Sequence, residues 1–128
     1  MKYKPNPSDI VTGILALTNP TAPLELPSDQ VLYDALGGLQ DAYKDILPFD
    51  DTKLQNSGYY SKKLEATLQA MCFHSNFMRL PSGRYVVDAK TKQGWAEDIA
   101  KNIDLSPQQH ARLKIASSEF YKLVSCAV

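Results

Sequence analysis

The sequence predicts a mainly α-helical protein, a compact bundle of about five helices with one β-hairpin, near residues 77–88, between the third and fourth long helices. Three observations predict it. Apolar residues recur at three-then-four spacing in successive stretches, which is the period of one buried helix face. Helix-start residues such as Asn6-Pro7-Ser8-Asp9, Pro27-Ser28-Asp29 and Ser106-Pro107 precede those stretches. Between Phe77 and Asp88 alone the pattern changes to short runs of strand formers around a turn. At 128 residues, 44% apolar and 22% charged, the composition fits one globular domain spanning 1–128 and excludes collagen-like, disordered and low-complexity classes.

The first helix opens at Asn6–Asp9, carries Ile10, Val11, Ile14, Leu15 and Leu17, and is expected to end near Asn19 and Pro20. Three prolines between Pro20 and Pro27 predict an extended connector. The second helix, about Asp29 to Leu47, places Leu32, Ala35, Leu36, Leu39, Tyr43 and Ile46 on one face. Asp51 to Asn56 is expected to form a further helical turn. The third helix, about Tyr59 to Asn76, places Tyr60, Leu64, Leu68 and Met71 on one side; Phe73 lies off that stripe and is expected to be covered by a second packed side of a central helix, an exposed Phe73 marking an interface instead. Phe77–Leu80 and Arg84–Asp88, joined by Pro81-Ser82-Gly83, read as the hairpin. The fourth helix, about Thr91 to Ile103, repeats Trp95, Ile99 and Ile103 every four residues. The fifth begins with the capping-box spacing Ser106 to Gln109 and carries Leu113, Ala116, Phe120, Leu123 and Val124.

Local catalytic signatures are missing: the sequence holds no phosphate-binding glycine loop, dinucleotide fingerprint, His-Glu-x-x-His helix or Gly-x-Ser-x-Gly elbow. Cys72 and His74 would project about 200° apart on a helix, so they cannot close on one metal. No metal or cofactor is expected, Cys72 and Cys126 are read as reduced thiols, and His74 and His110 as ordinary helix residues. There is no signal-peptide pattern and no long apolar run, and both Asn-x-Ser/Thr sites hold proline at the middle position. These features predict a cytoplasmic protein with no membrane partner.

The net charge is zero but unevenly spread. Residues 28–51 hold six aspartates against one lysine, net minus five, and residues 53–93 hold seven cations against two anions, net plus five. On the second helix Asp34, Asp41 and Asp45 align opposite the apolar stripe, with Gly37 and Gly38 beside them. Glycine costs about 1 kcal/mol against alanine in a helix, so the pair marks either a break between two shorter helices or the close approach of a partner to an acidic ridge. The predicted function is therefore a non-catalytic protein-binding module, an adaptor, inhibitor or assembly subunit. It would dock a protein, or a second copy of itself, on Asp34, Gly37, Gly38, Asp41 and Asp45.

The basic half suggests an alternative. A turn at 51–56, Gly58, a helix from Tyr59 and a hairpin carrying Arg79 and Arg84, with Leu54, Gly58 and Leu64 suitably spaced, resembles a winged helix-turn-helix over residues 28–88. Lys53 and Thr67 depart from it, since they stand where that packing wants apolar side chains. The resemblance implies a DNA-binding regulator in which Ser61, Lys62, Lys63, Ala66 and Gln69 face DNA, while Arg79, Arg84, Lys90 and Lys92 contact phosphate.

Overall fold

The computed structural model describes residues 2–17, 22–74 and 77–126; the side chains of His74 and Cys126 fall outside the description. The described chain is mainly helical, with five helices and two small antiparallel sheets, in the order α1 (Pro7–Ala16), β1 (Leu24–Leu26), α2 (Asp29–Gln40), β2 (Lys53–Gln55), β3 (Gly58–Tyr60), α3 (Lys62–His74), β4 (Met78–Arg79), β5 (Tyr85–Val87), α4 (Ala89–Lys101) and α5 (Pro107–Cys126).

Capping chemistry sets the helix starts. On α1, the Asn6 side chain accepts from the Asp9 N–H and Asp9 accepts from the Asn6 N–H, each at 2.9 Å, with Pro7 in the first turn. Every residue from Ile10 to Ala16 is buried, so α1 is the central helix, packed by α3, α4 and α5. On α5, Ser106 and Gln109 exchange the same reciprocal pair of bonds at 3.0 and 2.9 Å, and Asp88 caps α4 through the Thr91 N–H at 2.7 Å. The N-terminal strand-like segment is tied down by Tyr3, which bonds Asn102 and Asp104 across a bridge to Ile103.

Three expectations are corrected. The connector between the prolines contains a strand: Leu24 and Leu26 point inward and pair with Val87 and Tyr85 on β5, which gives a three-stranded sheet in the order β1-β5-β4 rather than an isolated hairpin. The second helix ends at Gln40, not Leu47. Two further i to i−4 bonds, from Tyr43 to Leu39 and from Leu47 to Tyr43, prolong it as turns. Buried Gln40 then folds the chain back, donating to the Leu47 carbonyl at 2.9 Å and accepting from the Phe49 N–H at 3.2 Å.

The third correction concerns 51–61. No helical turn forms there; Lys53–Gln55 and Gly58–Tyr60 pair as a second hairpin around Asn56 and Ser57, with Lys53 opposite Tyr60. Gly58 takes φ +126°, a conformation open to glycine, and the following tyrosines favour the pleated strand. α3 consequently begins at Lys62, three residues after the expected Tyr59. Its start is held by Ser61, which accepts the Leu64 N–H at 3.0 Å and donates to Asp51 at 2.6 Å, while Asp51 also accepts the Lys63 N–H at 3.1 Å.

Candidate functional site

The acidic face of α2 is largely engaged by the chain itself. α2 runs unbroken through Gly37 and Gly38. A Cβ on Gly37 would stand 2.5 Å from Cγ of Tyr59, so the missing side chain is the seat of the β2–β3 hairpin. Asp34 accepts from the Tyr59 N–H and from Gln30, both at 2.9 Å, and Gln30 donates to the Tyr59 carbonyl at 3.0 Å. Asp45 is held by Arg112 through two bonds of 3.0 and 3.1 Å, and that pairing keeps its carboxyl below the usual range. The Arg112 guanidinium also lies 4.4 Å over the Tyr43 ring and donates to the Ala42 carbonyl. Asp41 and Gly38 are exposed, and nothing lies within 4 Å of a Cβ built on Gly38.

The basic residues are likewise placed among carboxylates. Lys63 meets Asp50 at 2.5 Å, Arg79 meets Asp29 at 3.5 Å and Arg84 meets Glu25 at 3.6 Å. Lys62 and Gln69 are exposed on α3, and Lys90 is exposed in the first turn of α4. Lys92 contradicts the phosphate-contact expectation: it is 1% exposed and donates to the Ala22 carbonyl at 3.1 Å, and burial lowers its pKa. The helical turn that a helix-turn-helix needs before α3 is replaced by the β2–β3 hairpin.

What the fold brings together is a cleft of about 260 Å³ between the start of α2, the exposed side of α3 and the β4–β5 strands. Asp29 and Tyr33 contribute from α2, Glu65, Leu68, Gln69 and Cys72 from α3, and Arg79 and Tyr85 from the sheet. Its polar groups are fixed by a tyrosine frame. The Tyr85 hydroxyl donates to Asp29, and the Tyr60 hydroxyl donates to Glu65 at 3.2 Å. Tyr85 stacks on Phe77 at 4.5 Å, and Tyr33 tilts against Tyr60 at 5.5 Å. Burial, then the charges of Glu65 and Asp29, push the Tyr33 hydroxyl up to about 12. Burial raises the Cys72 thiol as well, against the lowering effect of Arg79.

Phe73, which also lines the cleft, is 85% exposed, and Met78 is 60% exposed. The sequence places Phe73 off the stripe of α3, but the expectation that a central helix packed on two sides would cover it is overturned by this exposure. Asp29, Glu65 and Tyr85 were not legible in the sequence, because Asp29 and Tyr85 stand 56 positions apart and no spacing rule connects them. Among the described residues, no three His, Cys, Asp or Glu side chains cluster so as to hold a metal, and no helix is long and apolar enough to cross a membrane. No protein-family model matches this chain, and no curated protein or solved structure matches it with significance.

Proposed function

We propose that this chain is a non-catalytic protein-binding module, an adaptor or assembly subunit, which docks its partner on the face shared by α3 and the β4–β5 strands. The observation that carries the reading is the exposure of Phe73 and Met78 around Cys72, which lines both adjoining clefts. Aromatic and methionine side chains concentrate at protein interfaces, and soluble surfaces otherwise hold such residues singly. The acidic α2 face, with Asp34, Gly37 and Asp45 already occupied by the chain, supports the docking role less well.

A second reading rests on one specific observation. The order helix, strand, helix, helix, strand, strand with sheet order β1-β5-β4, setting aside the inserted β2–β3 hairpin, is similar to a winged helix, which supports a DNA-binding regulator using residues 51–88. Fold alone does not fix function. The cations of that face sit beside Asp50, Asp29 and Glu25, so the local field a phosphate would meet is largely cancelled, which favours the protein reading.

Phe73→p-benzoylphenylalanine installs a photo-crosslinker on this face. Under the protein reading it yields one discrete protein adduct in cells, a probe at Ala111 on α5 does not, and Phe73→Glu with Met78→Glu abolishes binding of the recovered partner while the helical circular dichroism is unchanged. DNA retention that falls steeply with salt and disappears in Arg79→Glu with Arg84→Glu would instead establish the second reading.

A further inference from the structure

We propose that the cleft between α2, α3 and the β4–β5 strands receives a lysine or arginine side chain of the docked partner, seated against Glu65. This inference rests on the protein-binding reading above and names what that face selects. Small-molecule sites usually run to ~300–1,000 Å³. At about 260 Å³ the cleft suits one long side chain better than a cofactor or a drug-sized ligand.

Its charge selects the sign of the guest. Asp29 and Glu65 face a single guanidinium, Arg79, so the lining is net negative by one. Arg79 is turned toward Asp29 at 3.5 Å and lies 6.0 Å from the centre of the Tyr85 ring, which makes Arg79 and Asp29 together a nearly neutral wall. Glu65 is the open charge: among the described residues no cation lies within ion-pair distance of it, while the Tyr60 hydroxyl holds it in place at 3.2 Å. A carboxylate or phosphate entering the cleft would meet Glu65 as a like charge, whereas an ammonium or guanidinium would complete it.

The rest of the lining fits the shape of that guest. Lysine and arginine carry an apolar stem and a cationic head. Leu68 offers the stem an aliphatic wall and the Tyr33 ring lines the same cleft, while the Tyr85 ring is already stacked on Phe77 and faced by Arg79. Gln69 stands at the cleft with an exposed amide available to the main chain on which such a side chain would be presented.

The test uses the full chain, isotope-labelled, titrated with N-acetyl-arginine methylamide, N-acetyl-lysine methylamide and the isosteric neutral N-acetyl-citrulline methylamide. The cationic compounds are expected to shift the amide signals of Tyr33, Glu65, Gln69 and Tyr85, and citrulline is expected not to. Glu65→Gln, an exposed conservative change, is expected to weaken the cationic compounds about 2- to 5-fold, and Glu97→Gln on α4 to leave them unchanged. Equal shifts with citrulline, unchanged binding in Glu65→Gln, or no localised shift with either cation at tens of millimolar overturns the proposal. Selection of displayed random peptides on the same chain separates the two levels. Peptides that require Phe73 and hold an invariant basic residue support the inference. Peptides that require Phe73 but lack any basic residue overturn it and leave the docking reading standing; failure to select any peptide, with silent titrations, removes both.

Discussion

The neighbouring glycines of α2 should respond to the same substitution with opposite signs. Replacing either by alanine removes the backbone-entropy penalty of glycine in a helix interior, a gain of about 1 kcal/mol. At Gly38 nothing lies within 4 Å of the new methyl, so the whole gain should appear. At Gly37 the methyl would fall 2.5, 2.6 and 2.9 Å from Cγ, Cβ and Cδ1 of Tyr59, atoms close to the backbone that cannot swing aside as a flexible side-chain end could. The hairpin must lift. Overpacking of this kind costs about 1–3 kcal/mol, and the Tyr59 bonds to Asp34 and Gln30, each worth about 1 kcal/mol, are stretched with it. The net expectation is a loss of about 2 kcal/mol for Gly37→Ala against the gain for Gly38→Ala. For a chain of this size 1 kcal/mol is worth about 4 °C, so the midpoints should move about 8 °C down and about 4 °C up. Thermal and urea unfolding of the two variants and the parent would measure both signs. Equal stabilisation by the two alanines would refute the claim that Gly37 is the seat of Tyr59.

Arg112→Ala removes the two bonds to Asp45, the bond to the Ala42 carbonyl and the stack on Tyr43, a partly exposed set that should cost about 1–2 kcal/mol in urea unfolding; Arg112→Lys should recover little of it, having no planar fork. The carboxyls of Asp45, Asp50 and Asp88 lie below their ordinary 3.8 because Arg112, Lys63 and the Thr91 N–H respectively bond the ionised form. At Asp51 burial pushes upward, but the bonds from Ser61 and the Lys63 N–H outweigh it. Each folded-state pKa is depressed, so the stability these groups add is present above pH 3.8 and lost as the pH falls through the lowered values; acid unfolding of Asp51→Asn should show a smaller loss across that window than the parent. Amine acylation read by mass spectrometry should modify Lys62 and Lys90 rapidly and leave Lys92, at 1% exposure, unmodified until the protein unfolds.

How much of this was legible in the sequence follows from the range of each interaction. Helix starts were readable because a cap acts over three residues: Asn6 with Asp9, and Ser106 with Gln109, are local devices that the chain spells out. Most core-facing residues of α2, α3 and α5 were readable because one buried stripe imposes its period, but Leu123, read onto the α5 stripe, is exposed, and Tyr60, read onto α3, lies half-buried in β3. Helix ends were not readable. α2 stops where it does through the buried Gln40 amide and Arg112, a residue 70 positions from the Ala42 carbonyl it binds. The β2–β3 hairpin is not legible in the sequence for a related reason. Its strands are three residues long with no alternating pattern, and its place is set by Gln30, Asp34 and Gly37 across the gap from α2. Of the paired glycines only Gly37 marks a close approach, and the helix break that the pair also suggested does not occur; the approach was assigned to an outside partner because a single sequence cannot say whose side chain arrives.

The same ambiguity applies to charge, and resolving it relocates the candidate site. Segments of minus five and plus five look, in one dimension, like two surfaces waiting for complementary partners. In the fold they meet each other: Asp50 with Lys63 and Asp29 with Arg79 join the acidic segment to the basic one, and Asp45 is taken by α5. Exposed pairs of this kind contribute little stability, about 0–1 kcal/mol each, but they cancel the long-range field that would steer either segment toward a distant partner. Under the proposed protein-binding role, recognition would operate at contact distance, through shape and through whatever charge the pairing leaves over. On the α3 face the remainder is Glu65 inside a tyrosine-walled cleft with Phe73 and Met78 at its margin, which is why that face, and not the acidic ridge of α2, is where substitution should change binding without changing the fold.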